Sequence, residues 1–287
     1  MLRIVRVLAP NPGPFTLEGT NTWVVGPPPA AVIDPGPDQL HHLEAVRREA
    51  GSVGAILITH RHPDHAPGAE RLGAMTGVQV HAFRPGQGQE RLRDNELVTL
   101  GMTHLRVIHT PGHTADHVSF LGEGTGALFT GDTVLGRGTA VIDPPEGDLA
   151  MYIESLRRLR SLRPGTIYPG HGPTVVDGQR KLDEYLDHRA IREDQVVAAL
   201  RDGLEYPEEI VSRVYADTPR ELRGIAARQV LAQLIKLKGE GRALSTDGLR
   251  FRLVDERHCE RCGRPAPANS RLCRRCSLDL LQENPDR

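Results

Sequence analysis

The densest chemistry in this 287-residue chain is the stretch Thr59-His60-Arg61-His62-Pro63-Asp64-His65, in which three histidines and an aspartate occupy six positions. It follows Ala55-Ile56-Leu57-Ile58, an apolar, partly β-branched run that reads as a buried strand. Pro63 lets the segment leave the strand as a loop. Imidazoles and carboxylates at the end of a buried strand each need a partner once desolvated, and metal ions supply such partners together. His60 and His62 can point one way, while the turn carries Asp64 and His65 towards a neighbouring second ion. A pair of divalent ions roughly 3.5–4 Å apart is suited to hydrolysing phosphate esters or acyl bonds. A polar turn carrying surface histidines has the same composition and is the plain alternative.

Three further segments repeat the pattern of a polar residue just beyond a strand-like run and beside a glycine. They are His113 in Thr110-Pro111-Gly112-His113-Thr114, Asp132 closing Ala127-Leu128-Phe129-Thr130-Gly131-Asp132, and His171 in Tyr168-Pro169-Gly170-His171-Gly172. Glycine at such places lets backbone approach a ligand closely. The HxHxDH motif with these three additions resembles the metallo-β-lactamase superfamily, and every ligand position of that pattern is filled. The resemblance implies one ion on His60, His62 and His113, a second on Asp64, His65 and His171, and Asp132 bridging them. It also implies a catalytic role for Asp64, which would orient the attacking oxygen. Nitrogen and oxygen donors without thiolate suit zinc, with manganese or iron as alternatives.

Within that superfamily, Pro12-Gly13-Pro14-Phe15-Thr16 and Gly19-Thr20-Asn21-Thr22 are similar to segments of the β-lactamase-like protein 2 branch, whose characterised members cut single-stranded RNA. That likeness implies a loop whose Thr20, Asn21 and Thr22 hydrogen-bond substrate. A loop held together by its own side-chain-to-backbone bonds fits the same residues. Other branches match less well. Only 38 residues separate Asp132 from His171, too few for the inserted domain of the β-CASP nucleases. No segment resembles the tRNA-grasping arm of the tRNA 3′-processing enzymes, and Asp132 stands where antibiotic-hydrolysing members commonly carry cysteine.

The elements that position these residues read as short strands with interspersed helices. Strand-like runs are Leu2 to Leu8, Trp23 to Val25, Ala31 to Asp34, Val78 to His81, His104 to His109, Val118 to Leu121 and Ala127 to Thr130. Helix-like segments are Asp38 to Ala50 and Ala66 to Met75, whereas Gln87 to Glu96 is polar and expected to be exposed. Composition alone says mixed α and β; the resemblance implies an α/β αββα sandwich over residues 1–185. Asp34 fits a turn cap more readily than a support for a ligand histidine. His81, His104 and His109 read as structural, His117 as packing or as support behind a ligand, and His41, His42 and His188 as residues of polar helix faces.

Past His171 the register changes. Gln179 to Gly203 reads as a long charged amphipathic helix, followed by helices at Glu208 to Tyr215 and Arg220 to Gly239 and a ribbon at 241–254 with an Asp247-Gly248 turn. Three helices and a ribbon make a winged-helix-like layout over 186–255, a domain that the resembled branch also carries. Charge is uneven: counted along the chain, residues 1–189 hold 18 Lys and Arg against 21 Asp and Glu, whereas 223–252 hold 7 against 2. Residues 257–276 hold six arginines against Glu260 alone. A polyanion would dock on that C-terminal part.

All four cysteines fall within residues 256–287, as Cys259-Glu260-Arg261-Cys262 and Cys273-Arg274-Arg275-Cys276, ten residues apart. Two CxxC knuckles at this spacing can close a tetrahedral four-cysteine zinc site that folds a segment too small for a core. A thioredoxin-like redox role lacks its βαβ context. The ribbon is expected to add phosphate contacts to an RNA track, with a cap or partner-docking module as the alternative.

The expected function is therefore a di-metal hydrolase, in first place a single-strand endoribonuclease. A glyoxalase II-like thioester hydrolase needs the same ions and no basic track, although glutathione-binding residues of that type are not found in the sequence. A nucleic-acid-binding protein with an inactive core is the third reading. With no apolar leader and no run approaching 18 apolar residues, the expected setting is the cytoplasm, without a membrane partner.

Overall fold

The computed structural model describes residues 2–254 and two short strands, Arg257–His258 and Pro265–Ala266. Cys259, Cys262, Cys273 and Cys276, and with them the expected zinc ribbon, lie outside the described residues.

The first sheet runs in order β1 (Ile4–Leu8), β2 (Asn21–Val25), β3 (Ala30–Ile33), β4 (Val53–Leu57), β5 (Val80–Ala82) and β6 (Glu90–Arg91). Its first three strands are antiparallel; β3, β4, β5 and β6 pair in parallel. Parallel neighbours need crossovers, and α1 (Leu40–Ala50) and α2 (Gly68–Thr76) are the first two. The second sheet is the antiparallel meander β7 (Leu97–Leu100), β8 (Thr103–His109), β9 (Val118–Gly122) and β10 (Ala127–Gly131). After α3 (Leu149–Ser161), strand β11 (Thr166–Pro169) returns parallel to β10.

The inner strands β3 and β4 are covered on both faces, which is why they are apolar runs with no polar alternation. In β2, Trp23 and Val25 point into the core between the sheets, with Ile33, Leu57, Val107, Phe120 and Phe129. Val24, between them, points the other way and packs with Val32, Ile56 and the helix residues Leu43, Val46 and Leu72. Leu92, within the segment expected to be exposed, is buried in the inter-sheet core, since its backbone N–H continues the pairing with Ala82. Tyr152, Ser155 and Arg158 of α3 bond the carbonyls of Thr133, Pro111 and His109 on the second-sheet side.

The chain divides into two compact units between Glu193 and Asp194, inside α4 (Gly178–Arg201). The expected boundary at 185 falls earlier, but Tyr185 and Arg189 are buried in bonds to the first unit, so the helix belongs to that unit beyond 185. In the second unit, α5 (Pro207–Val214), the 3-10 turn η1 (Arg220–Leu222) and α6 (Arg223–Gly239) precede a ribbon of β12 (Ala243–Leu244) and β13 (Arg252–Leu253). Its own core joins Val196, Leu200, Ile210, Val230, Leu234 and Phe251. Within the ribbon, Arg250 and Arg252 both pair with Glu205, so part of the local positive charge is already neutralised.

Candidate dinuclear metal centre

The seven residues expected to bind metal converge from four strand ends at one end of the sandwich. His60, His62, Asp64 and His65 leave the end of β4, His113 follows β8, Asp132 follows β10 and His171 follows β11. They form two groups, His60, His62, His113 and Asp132 in one and Asp64, His65 and His171 in the other, with the donor atoms of each within 4.8 Å of one another. In the first, His113 Nε2 stands 3.1 Å from His62 Nδ1. In the second, His171 Nε2 stands 3.1 Å from both His65 Nε2 and Asp64 Oδ2. Asp132 lies between them, with Oδ1 3.4 Å from His65 Nε2 and from His171 Nε2, and Oδ2 3.7 Å from His113 Nε2.

Two observations test whether these residues suit metal ions. His60 Nε2 and Asp132 Oδ1 are buried polar atoms without a hydrogen-bond partner, an arrangement that is costly unless a ligand completes it. The approach also leaves no room for extra carbon: a Cβ on Gly170 would stand 2.7 Å from Asp132 Oδ1 and from His65 Cε1. The donor set fits two divalent cations.

The electrostatics point the same way. Burial pushes His60 well below the ordinary histidine range, reinforced by neighbouring imidazoles, so it remains a neutral donor. Burial opposes charge on Asp132 as well, but His171 and His65 outweigh it and hold the carboxyl well below its ordinary value. For His171 burial is overcome by the Asp132 charge and by the close Asp64 carboxylate, which raise it to about 9. Without metal, the carboxylates of the cage thus draw a proton onto the imidazoles; positive charge is what the site attracts.

Behind the cages, outward-facing ring nitrogens are anchored. His65 Nδ1 lies 2.8 Å from Asp34 Oδ2, His113 Nδ1 2.9 Å from the Val141 carbonyl, His171 Nδ1 3.1 Å from the Gly19 carbonyl and His60 Nδ1 2.9 Å from Thr59 Oγ1. Asp34 is therefore more than a turn cap. Held at φ +50, its carboxylate also accepts from the backbone N–H and the hydroxyl of Thr59. Its place at the end of β3, beside the metal-bearing β4, is the signal that could have assigned it this role.

Thr20, Asn21 and Thr22 do not face a substrate. All three are fully buried. Asn21 Nδ2 donates to the Pro169 and Gly172 carbonyls, Thr22 Oγ1 donates to the Asp34 carbonyl, and Thr20 Oγ1 accepts from Asn11 Nδ2. The Asn21 bonds tie β2 to the segment carrying His171, and the threonines bond within the first sheet and its loop, because side chains entering a strand covered on both faces must find partners inside. His42, expected on a polar face, is likewise buried, 3.0 Å from Thr22 Oγ1. His81, His104 and His109 stand outside both cages.

The cleft over the centre has a volume of about 660 Å³. One wall is Pro14, Phe15 and Leu17; the other is the segment after Asp132, including Leu135, Ala140 and Val141. That second wall is held by residues the sequence did not single out. Tyr152 Oη donates to the Thr133 carbonyl, Tyr185 Oη accepts from the Leu135 N–H and donates to the Gly138 carbonyl, and Arg189 Nη2 donates to the Ala140 carbonyl. Burial raises the Tyr152 hydroxyl to about 12, so it stays a donor.

Against known families, the model described as the metallo-beta-lactamase superfamily matches residues 15–85 and 73–171, a span that holds the whole donor set. The chain belongs to the metallo-β-lactamase superfamily. The beta-lactamase associated winged helix domain matches residues 207–251, within the second unit. Among curated relatives, the chain is 35% identical over 254 residues to the beta-lactamase-like protein 2 homolog of Caenorhabditis elegans, covering 83% of this chain and 85% of that one. It is also 35% identical over 255 residues to an atrochrysone carboxyl ACP thioesterase of Aspergillus chevalieri, covering 83% and 82%. A metallo-beta-lactamase family protein from Thermus thermophilus shares the fold, with a TM-score of 0.73 at 22% identity over 87% of this chain and 98% of that one. With the superfamily's donor set in place, the chain is a hydrolase of that superfamily suited to divalent metal. No helix among the described residues is long and apolar enough to cross a membrane.

Proposed function

We propose that the chain hydrolyses an activated acyl group, a thioester, at the dinuclear centre. The observation that carries this reading is the character of the cleft. Phe15, Leu17, Leu135 and Val141 give it apolar walls, and among the described residues that line it Arg137 is the one Lys or Arg. Arg137 is paired with Glu18 at 2.7 Å, and the carboxylates of Asp143 and Glu146 also line the space. A chain of phosphates binds where Lys and Arg neutralise it; an acyl chain gains instead from apolar surface removed from water. The similarity to an ACP thioesterase supports the same chemistry.

His60, His62 and His113 would hold one ion, Asp64, His65 and His171 the other, with Asp132 shared. When bound, two divalent ions make water more acidic and stabilise negative charge on a carbonyl oxygen. The chain's own groups do the rest. Asp64 lines the cleft, and its carboxylate, held below the ordinary range by the bond from His171 despite burial, accepts the proton of the attacking water. The water oxygen bonds to the carbonyl carbon, the C–S bond breaks with its electron pair on sulfur, and the proton taken by Asp64 passes on to the released thiolate, giving a carboxylic acid and a thiol. A thiol with a pKa of about 8.5 departs as thiolate without needing an acid beside it.

A single-strand endoribonuclease is the second reading, favoured by Phe15, 58% exposed at the cleft and able to stack on a base. The basic α6 of the winged-helix unit, with Arg223, Arg228, Lys236 and Lys238, supports it too. The decisive experiment restores zinc or manganese to purified protein and offers acyl-pantetheine thioesters of increasing chain length, lactoylglutathione and a fluorescent single-stranded RNA. An Asp64→Ala control runs beside each. Thioester turnover that rises with chain length and vanishes in the control is the expected result. RNA cleavage with the same dependence on Asp64, and intact thioesters, would overturn it in favour of the nuclease.

A further inference from the structure

His117 belongs to neither cage, yet it is fully buried at the place where they meet. Its ring lies nearly parallel to that of His60, with centroids 4.9 Å apart and 29° between planes. Its Nε2 accepts the backbone N–H of Asp132 at 3.1 Å. A nitrogen that accepts carries no proton, so the proton of the neutral ring is on Nδ1. That N–H faces two hydroxyls, Thr110 Oγ1 at 2.9 Å and Thr133 Oγ1 at 3.2 Å. The approach depends on Gly131, where a Cβ would stand 2.7 Å from His117 Nε2.

We infer that His117 is a positioning residue that sets the bridging carboxylate. By fixing the Asp132 amide it determines where the chain turns after β10, and by stacking on His60 it fixes a donor of the first cage. One ring thereby governs the registration of Asp132 between the two ions. Packing alone would need only the ring's volume; this role needs an acceptor at the Nε2 position. The inference rests on the reading of the site as one for two ions.

The test compares His117→Leu with His117→Gln, whose Oε1 can still accept from the Asp132 amide. Cobalt serves as the probe in metal-free full-length protein, by titration and by visible absorption. Two cobalt ions per core are expected in the parent protein. His117→Leu should bind at least one of them about 10–100-fold more weakly, the usual scale for losing a group behind a ligand, with an altered spectrum. His117→Gln should stay within about threefold. Equal loss in both variants, or a His117→Leu protein with parental affinity and spectrum, would overturn the positioning role while leaving the two-ion reading intact. A parent protein that binds no cobalt in the core would instead remove the reading itself. Should His117→Leu not fold, His117→Asn serves as the shortened variant: its amide cannot reach the Nε2 position and must lose cobalt where His117→Gln does not.

Discussion

His65, His113 and His171 each commit the ring nitrogen that faces away from the cage to a fixed acceptor, so orientation is settled before any ion arrives. Asp34 offers the sharpest test, since it also holds Thr59, the residue behind His60. Asp34→Asn keeps the volume but removes charge and one acceptor oxygen. Its metal affinity is expected to fall about 10–100-fold, measured by competition with a chelator. The histidines themselves set a pH dependence. In the metal-free protein His171 keeps its proton up to about 9, above the unfolded value of 6.5, because Asp132 and Asp64 overcome burial. That proton stabilises the metal-free fold fully below about 6.5, and the contribution is lost as pH rises to about 9. Metal must displace it, so affinity should tighten with pH by up to about tenfold per unit and level off, for this group, above about 9. Titrations at several pH values check the slope; a flat profile across this range would contradict the assignment of His171 as a ligand.

At the scale of elements, the centre depends on how α3 and α4 grip the loops. Gly112, immediately before His113, has φ +132, and a Cβ there would lie 2.4 Å from the backbone of Tyr152 in α3. Gly112→Ala must push the helix away or move His113. A stability loss of about 2–4 kcal/mol is expected, together with weakened metal binding. Arg189 of α4 acts on the other side, donating to the Ala140 carbonyl and lying 5.0 Å from the centroid of the Tyr152 ring. Arg189→Met retains the apolar stem but abandons a buried carbonyl. A cost of about 1–3 kcal/mol follows, readable by denaturant unfolding. If the wall loop is what shapes the acyl site, KM for long thioesters should rise more than for short ones.

For the whole molecule, the question is what the basic C-terminal part contributes. The four-cysteine pattern is proposed as a structural zinc site. Zinc-loaded protein is then expected to carry three ions per chain, and replacing Cys259, Cys262, Cys273 and Cys276 by serine should leave two, measured by elemental analysis. Removing residues 257–287 also separates the two substrate readings. Thioester turnover should persist without the ribbon. Affinity for single-stranded RNA, and its dependence on salt, should fall because six arginines are lost from 257–276. Unchanged RNA affinity would make the ribbon a cap or partner-docking module.

The residue types and order of His60, His62, Asp64, His65, His113, Asp132 and His171 were legible in the sequence because metal chemistry restricts the donors and strand ends place them. The two-sided burial of β2 was half legible: apolar runs announce a strand covered on both sides, but not which residue faces which layer. Direction is what tertiary structure decided. Thr20, Asn21 and Thr22 have the composition of a substrate loop, and only the approach of Asn11, Asp34, Pro169 and Gly172 gives them partners inside. For Asp34 and His117 the sequence leaves a turn or packing role and support behind a ligand both open, until β3 is laid beside β4 and β9 beside β10. Tyr185 and Arg189 lie more than forty residues from the carbonyls they bind. Hydrogen bonds of such sequence separation leave no periodicity to read; they exist once the sheets and helices have packed.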